Sequence, residues 1–319
     1  MSFRIINPGF AECCDYRFTE TSKSCTTFDS DTYNPHNKKA IGSNANKDWS
    51  ADIKLPNQLN LDLYVKFDLF IDYSNCSFRI GHYTGTTNNN INWVNGAQVY
   101  YNNVYINYKS SRYGKGIPLV VNKVNSIWFH IFSDGLSSSE TNTFFELIVN
   151  NSADKEVTNF QYSSDFFNYN YNAITIFADK HCFLSNLIIS DSFIDPREKV
   201  TILPLYDSEE DDTNMSFDSN NLFTASQDRQ YARFYPDLDD LISAFGADST
   251  VTALSFCPVP AFKSGDVLNS LNFTANIDDE YLSTSLAISD DSLSGSAAHL
   301  LTNCSLDDIG SFYISAAEA

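Results

Sequence analysis

The sequence is poor in what most chemistries need. Its 319 residues include three Trp, two Met and five His, and 20 Lys+Arg stand against 40 Asp+Glu for a net charge of −20. A chain this short of positive charge repels polyphosphate, which argues against nucleic acid as a partner. No apolar run approaches the roughly 18 residues of a membrane-spanning helix, so no span is predicted. Met1–Phe10 lacks a basic segment followed by an apolar stretch, which predicts no secretory leader. The seven cysteines (Cys13, Cys14, Cys25, Cys76, Cys182, Cys257 and Cys304) are odd in number and dispersed, with no CxxC pair. That spacing argues against a structural zinc site and predicts free thiols in a reducing compartment. His36, His82, His130, His181 and His299 are scattered, and no Gly-x-Ser-x-Gly elbow surrounds a serine. His181 and Cys182 are adjacent, and successive side chains on an extended strand diverge, so the pair forms no dyad. Structural roles are expected for these histidines.

What is abundant is strand and turn material. The 25 Phe and 18 Tyr, with Val and Thr, favour strands, and the many Asn, Ser and Asp favour turns. From Leu61 to Ile71 the odd positions are apolar in an unbroken period of two, the pattern of a long strand. Similar runs fall at Phe78–Tyr83, Val99–Tyr108, Ile127–Phe132, Thr143–Val149, Ala173–Ala178 and Phe183–Ser190, separated by Asn, Gly and Ser clusters. Such spacing predicts an all-β chain, an antiparallel sandwich rather than a βαβ fold.

A domain boundary is expected near Asp195–Pro196. Residues 1–200 carry 17 basic and 20 acidic residues, whereas residues 201–319 carry Arg229, Arg233 and Lys263 against 20 acids. The acidic second region predicts solubility and selects for a basic neighbour. It holds one helix candidate, Asp237–Phe245, with Leu238, Leu241, Ile242 and Phe245 on one face, Asp237 as N-cap and Gly246 as the stop. Strands are expected at Val251–Pro258, Leu268–Ala275, Leu282–Ile288 and Gly310–Ser315. Residues 1–50 have weak periodicity and read as an arm or an extra edge strand.

Residues 51–195 resemble the laminin-G/concanavalin-A-like jelly roll. The likeness rests on the strand Leu61–Ile71, on Phe78–Arg79–Ile80–Gly81, and on Ser126–Ile127–Trp128–Phe129–His130, which is similar to that family's Trp-x-His strand. Phe145–Asn150 and Leu184–Ser190 are similar to its later strands, with Asn150–Asn151 where the family's turn reads Asp-Gly. Residues 198–319 resemble a β-sandwich module of tailed-phage virion proteins. Val200–Asp207 is similar to its opening strand, Val251–Phe256 to its central strand and Leu306–Phe312 to its closing segment, without that segment's Trp. Met1–Phe10 also resembles the start of such prophage proteins. The two resemblances together imply a structural component of a tailed-phage particle, tail- or baseplate-associated and exposed on the virion. Other virion proteins would be its partners, its own copies would assemble as a homo-oligomer, and it would have no catalytic activity. The alternatives are a glycan- or receptor-binding module, a capsid decoration protein and a glycosidase. Concanavalin-like glycosidases carry Glu-x-Asp-x-x-Glu on one strand, and no such strand occurs here.

Two candidate sites follow from residue types. Exposed aromatic rings stack on sugars while Asn side chains hydrogen-bond to them. Trp93, Tyr100, Tyr101 and Tyr105, with Tyr108, Tyr113, Asn92, Asn95, Asn102 and Asn103, supply both groups, as does Phe160–Asn172. The same rings would serve equally well in a core or a subunit interface. Asp207, Glu209, Asp211 and Asp218 fall at the first, third, fifth and twelfth positions of an EF-hand-like calcium loop, with Asp where the twelfth is Glu. Asp212 stands where that loop needs glycine, and Glu209–Asp212 also reads as a solvated acidic loop.

Overall fold

In this computed structural model the described residues are 3–11, 14, 25–43, 46–55, 62–83, 94–108, 111–133, 141–152, 156–162, 173–203, 205–207, 215–217, 223–225, 231–256, 270–287 and 298–317. The chain divides into two compact units, Met1–Thr201 and Ile202–Ala319. Both are built from antiparallel strands, so the all-β expectation holds.

The first unit contains β1 (Arg4–Asn7), β2 (Cys25–Asp29), β3 (Lys39–Ser43), β4 (Trp49–Lys54), β5 (Asp62–Ile71), β6 (Ser77–Tyr83) and β7 (Val94–Tyr100). It continues with β8 (Asn103–Tyr108), β9 (Ser111–Pro118), β10 (Val124–Ser133), β11 (Thr141–Val149), β12 (Glu156–Tyr162), β13 (Ala173–Ala178) and β14 (Cys182–Ser190). One sheet runs β12-β11-β10-β5-β14-β3-β2, with β1 also paired to β14; the other runs β4-β13-β6-β7-β8-β9. Leu63, Val65, Phe67, Leu69 and Ile71 of β5 are fully buried on the face that meets Phe78 and Ile80 of β6 and Ile174 and Ile176 of β13. The period-two pattern thus points one face of each sheet at a shared core, which is a sandwich.

The opposite face of β5 and β14 is also covered. Residues 191–201 cross the back of the larger sheet, burying Ile194 and Val200 against Trp128 and Ile188. Trp128 donates its indole N–H to the Ile194 carbonyl at 2.8 Å, and Arg4 pairs with Glu198 at 2.8 Å. That cover over Ile188, with Phe28 and Tyr33 over Phe183, explains why every residue of β14 is buried, where a one-sided strand would alternate.

Residues before position 50 supply three strands to the larger sheet, and one bulge decides how they fit. The β5–β14 register shifts between Ser185 and Ile188, and Asn186 sits there at φ 50°. Asn tolerates this left-handed conformation better than most residues. Beyond the bulge Leu187–Ser190 pair with β1; before it Leu184 pairs with Ile41 of β3. The Asn186 carboxamide closes the junction. Its Oδ1 accepts from Asn34 Nδ2 (3.1 Å) and Asn37 Nδ2 (2.6 Å), and its Nδ2 donates to Asp68 Oδ2 (2.8 Å) and Asn34 Oδ1 (3.2 Å).

The second unit contains β15 (Leu205–Asp207), β16 (Met215–Phe217), β17 (Phe223–Ala225), β18 (Tyr231–Pro236), α1 (Asp239–Phe245) and β19 (Thr250–Phe256). β20 (Ser270–Ile277), β21 (Glu280–Ala287), β22 (Ala298–Ser305) and β23 (Ile309–Ala317) complete it. A sheet ordered β15-β18-β23-β20-β21 is joined by the pairs β16–β17 and β19–β22. Stacked Phe256, Phe273 and Phe312 form its centre, against which the expected stripe Leu238, Leu241, Ile242 and Phe245 packs. The helix begins later than its sequence suggests. Leu238 is its N-cap, and Asp237 caps only by accepting from Asp239 N at 3.2 Å. Gly246, at φ 88°, ends it as expected.

Replacing Asn186 tests the junction. Asn186→Gly keeps the backbone conformation but removes four side-chain hydrogen bonds, to Asn34, Asn37 and Asp68, each worth about 0.5–1.5 kcal/mol net. A loss of about 3 kcal/mol in urea unfolding is expected, and a loss under about 1 kcal/mol would show that the network does not hold the sheet.

Lys66, on the covered face of β5, gives a pH test. Burial lowers its ammonium below the ordinary lysine value of 10.5, against the opposing pull of Asp68 and Glu198. A lowered folded-state value means the folded chain binds fewer protons than the unfolded chain between the two values, so stability rises with pH through that window. Below the window the penalty is fully present. The urea midpoint of the parent should therefore gain on that of Lys66→Met as pH approaches 10.5. A constant gap would mean that Lys66 titrates as an exposed lysine.

Candidate functional site

The tyrosines singled out above converge at the β7–β8 hairpin. Val99–Tyr108, read in sequence as one strand, is broken there by the turn Tyr101–Asn102. Both turn residues have positive φ, 47° and 50°, which is the two-residue I′ geometry of tight hairpins. Asn is common in such turns, whereas a bulky ring pays about 1–2 kcal/mol for the left-handed conformation. The turn throws the Tyr101 ring outward, where it is 51% exposed, beside Tyr100 at 37%. The two rings meet edge to face, with centroids 4.3 Å apart. Hydrogen bonding to Tyr100 raises the Tyr101 phenol above its ordinary value. Asn103 Nδ2 donates to the Tyr101 carbonyl at 2.8 Å and steadies the turn.

Register then brings further groups to this side of the sheet. Phe177, Arg79, Gln98 and Tyr105 stand abreast across β13, β6, β7 and β8, and Asn107 pairs with Arg112 of β9. The Arg112 guanidinium lies 3.7 Å from the Tyr100 ring centroid and 5.9 Å from that of Tyr105, a cation–π arrangement. With the Gln98 amide turned so that both ends are satisfied, its oxygen accepts from Arg79 Nε and Nη2 at 3.2 Å. Its nitrogen then donates to Asn107 Oδ1 at 3.1 Å. Gly116, at φ 78°, lies beneath Tyr105, since a β-carbon there would come within 2.6 Å of the ring. The arrangement grades from the exposed Tyr100, Tyr101 and Arg112 to the buried Gln98 and Asn107. Farther along the same sheet, buried Asp52 accepts from Thr175 Oγ1 at 2.6 Å.

The other expectations distribute as follows. Tyr108 is buried in the sandwich core and Tyr113 packs against it, so these two rings fill the interior. Asn95 is buried opposite His82. Trp93, Asn92 and residues 163–172 lie outside the described residues, as do Glu209, Asp211 and Asp218. Asp207 ends β15, and its side chain is likewise outside the description. Among the described residues no group of three His, Cys, Asp or Glu side chains could hold a metal. His130 is stacked between Tyr64 (3.9 Å) and Phe132 (4.5 Å), with Nε2 2.9 Å from Asp62 and Nδ1 3.5 Å from Glu146. His181 contacts Asp72 at 2.6 Å. A hydrogen bond with Cys76, together with burial, raises the Cys182 thiol well above the ordinary value, which leaves it unreactive. Arg79, Gln98, Asn107 and Arg112 were not anticipated. For Arg79, Gln98 and Asn107 the signal is a charged or amide residue on a largely apolar strand, whereas Arg112 lies in the polar strand Ser111–Pro118, and only the register shows that they meet.

No protein-family model and no curated protein matches the chain. Among solved structures it is similar to the alginate lyase vAL-1 from Chlorella virus, at 14% identity and TM-score 0.30 over 58% of this chain and 90% of that one. It is similar to the carbohydrate recognition domain of Emp46p in its potassium-bound form, at 11% identity and TM-score 0.34 over 57% of this chain and 98% of that one. It is also similar to the PL-14 alginate lyase from Aplysia kurodai, at 8% identity and TM-score 0.27 over 55% of this chain and 85% of that one. The expectation of a protein without catalytic activity is corrected here: alginate lyases stand in this set beside a carbohydrate recognition domain, and it does not favour a non-enzyme.

Proposed function

We propose that the first unit binds carbohydrate through the tyrosines of the β7–β8 hairpin. The observation that carries this reading is Tyr101. A bulky residue held at φ 47° in a two-residue turn, with its ring in solvent, is a cost to folding that a ligand-stacking role explains. Tyr100 supplies a second ring at right angles to it, and Arg112 backs that ring on the same side. The buried amides of Gln98 and Asn107, bonded to each other and through Gln98 to Arg79, brace this side of the sheet.

The setting we propose for this module is the surface of a tailed-phage particle, with other virion proteins as partners and its own copies as neighbours. What supports it is the resemblance of residues 198–319 to a virion module. Mass spectrometry of purified particles from a strain carrying the gene should detect the chain in stoichiometric amount. Particles that lack it would remove this setting and leave the carbohydrate reading untouched.

Tyr101→Gly separates stability from binding. Glycine relieves the left-handed strain, so the variant should gain about 1 kcal/mol in urea unfolding. It should also lose about tenfold or more in affinity for whichever saccharide the full chain captures on a glycan array. A variant that binds as well as the parent would show that the ring serves the turn alone.

A further inference from the structure

Two guanidinium groups share the candidate site. Arg79 and Arg112 belong to β6 and β9, which are not neighbours in the sheet, and register places them on one side of it, separated by Gln98 and Asn107. Arg79 is half-buried. Burial first, and then the charge of Arg112, lower its guanidinium below the ordinary arginine value. Like charges that act on one another in this way oppose folding. Arg112 is also exposed, and its cation–π contacts are with tyrosines, which attract the guanidinium without neutralising it. The chain as a whole is strongly acidic, with a net charge of −20, so general surface composition does not account for a positive pair here. Arginine presents its donors as a planar fork that matches carboxylate and sulfate oxygens. An anion that meets both groups from the solvent side would relieve their repulsion, while Tyr100 and Tyr105 offer ring faces beside it.

From this geometry we infer that the saccharide taken by the site carries an anionic group, a carboxylate or a sulfate, which is received by Arg79 and Arg112. This deepens the carbohydrate-binding reading and rests on it. The ring of the sugar lies on the tyrosines, and its acidic substituent points to the arginine pair. Gln98 stays bonded to Arg79 and holds that guanidinium in orientation, so it acts as a positioning residue.

Isothermal titration calorimetry of the full chain against three oligosaccharides of equal length tests this: an oligogalacturonate, a sulfated galactan and a neutral glucan. At least one acidic ligand should bind about tenfold or more tightly than the neutral one, with affinity falling as salt is raised. Comparing the two acidic arms tells carboxylate from sulfate. Arg112→Gln, an exposed change that leaves the fold intact, should bring the acidic ligand down to the level of the neutral one and remove the salt dependence. Arg79→Lys keeps the charge but loses the fork, and should weaken the acidic ligand several-fold while leaving the binding of the neutral glucan unchanged. Equal binding of neutral and acidic sugars, or an Arg112→Gln variant with unaltered preference, overturns the anionic inference and leaves carbohydrate binding standing. Failure of all three ligands to bind, with Tyr101→Gly also without effect on the glycan array, overturns both.

Discussion

The first unit depends on a hand-over at a single backbone position. Strand β14 has one free edge to offer beyond β5, and two strands use it, β1 on one side of Asn186 and β3 on the other. A regular strand could not present that edge to both without a clash or a gap. The bulge makes room, and the Asn186 carboxamide fills the space with bonds to Asn34, Asn37 and Asp68. Asn37 also donates to the Val200 carbonyl at 2.8 Å, so the network fastens the end of the segment that covers the back of the sheet. A buried polar cluster of this kind is favourable only when its groups are satisfied, which makes it specific as well as stabilising. Asn34 and Asn37, strand β5 at Asp68 and the covering segment at Val200 are thereby tied at one place.

How far the sequence reveals the fold follows from where each signal resides. The strand β5 is legible because its core-facing side is apolar without interruption and its length excludes a turn. The Val99–Tyr108 run misleads because the alternation continues through Tyr100 and Asn103, and the turn between them uses Tyr–Asn where Asn–Gly would have announced a hairpin. Strands β1 to β3 are short, and their pairing depends on a bulge some 150 residues away in sequence, as the Asn34–Asn186 separation of 152 shows. No local pattern carries information of that range. The same holds for residues 191–201: Val200, likened in sequence to the opening strand of the second module, packs instead with Ile194 against Trp128 in the first unit.

The candidate site divides in the same way. Its rings are visible in the sequence because exposed aromatics near asparagines are a compositional signal, and Tyr100, Tyr101 and Tyr105 do gather. Tyr108 and Tyr113 carry the same signal and are turned inward, because strand alternation, which composition ignores, decides the face. The polar floor and the arginine pair are properties of register. Arg79 follows Phe78 and precedes Ile80, both fully buried, so its side chain must leave by the opposite face of β6. Which neighbours it finds there depends on the pairing of β6 with β7, and on the bulge that shifts β9 between Val104 and Ile106.

That second bulge links the site's geometry to its electrostatics. Without the shift, the extra residues of β9 around Gly114 and Gly116 would have to pair regularly with β8. Lys115 and Gly114 would then stand opposite Ile106 and Asn107, where Tyr113 and Arg112 stand now; Gly116 leaves the Tyr105 ring the room that a β-carbon would take. With the shift, Arg112 comes opposite Asn107 and reaches the faces of both Tyr100 and Tyr105. A glycine that supplies space and a register slip that supplies charge therefore act together. The folded chain bears the cost of both, in a strained turn at Tyr101 and in two neighbouring guanidinium groups. Costs of this kind persist where they are balanced by something outside the chain's own packing.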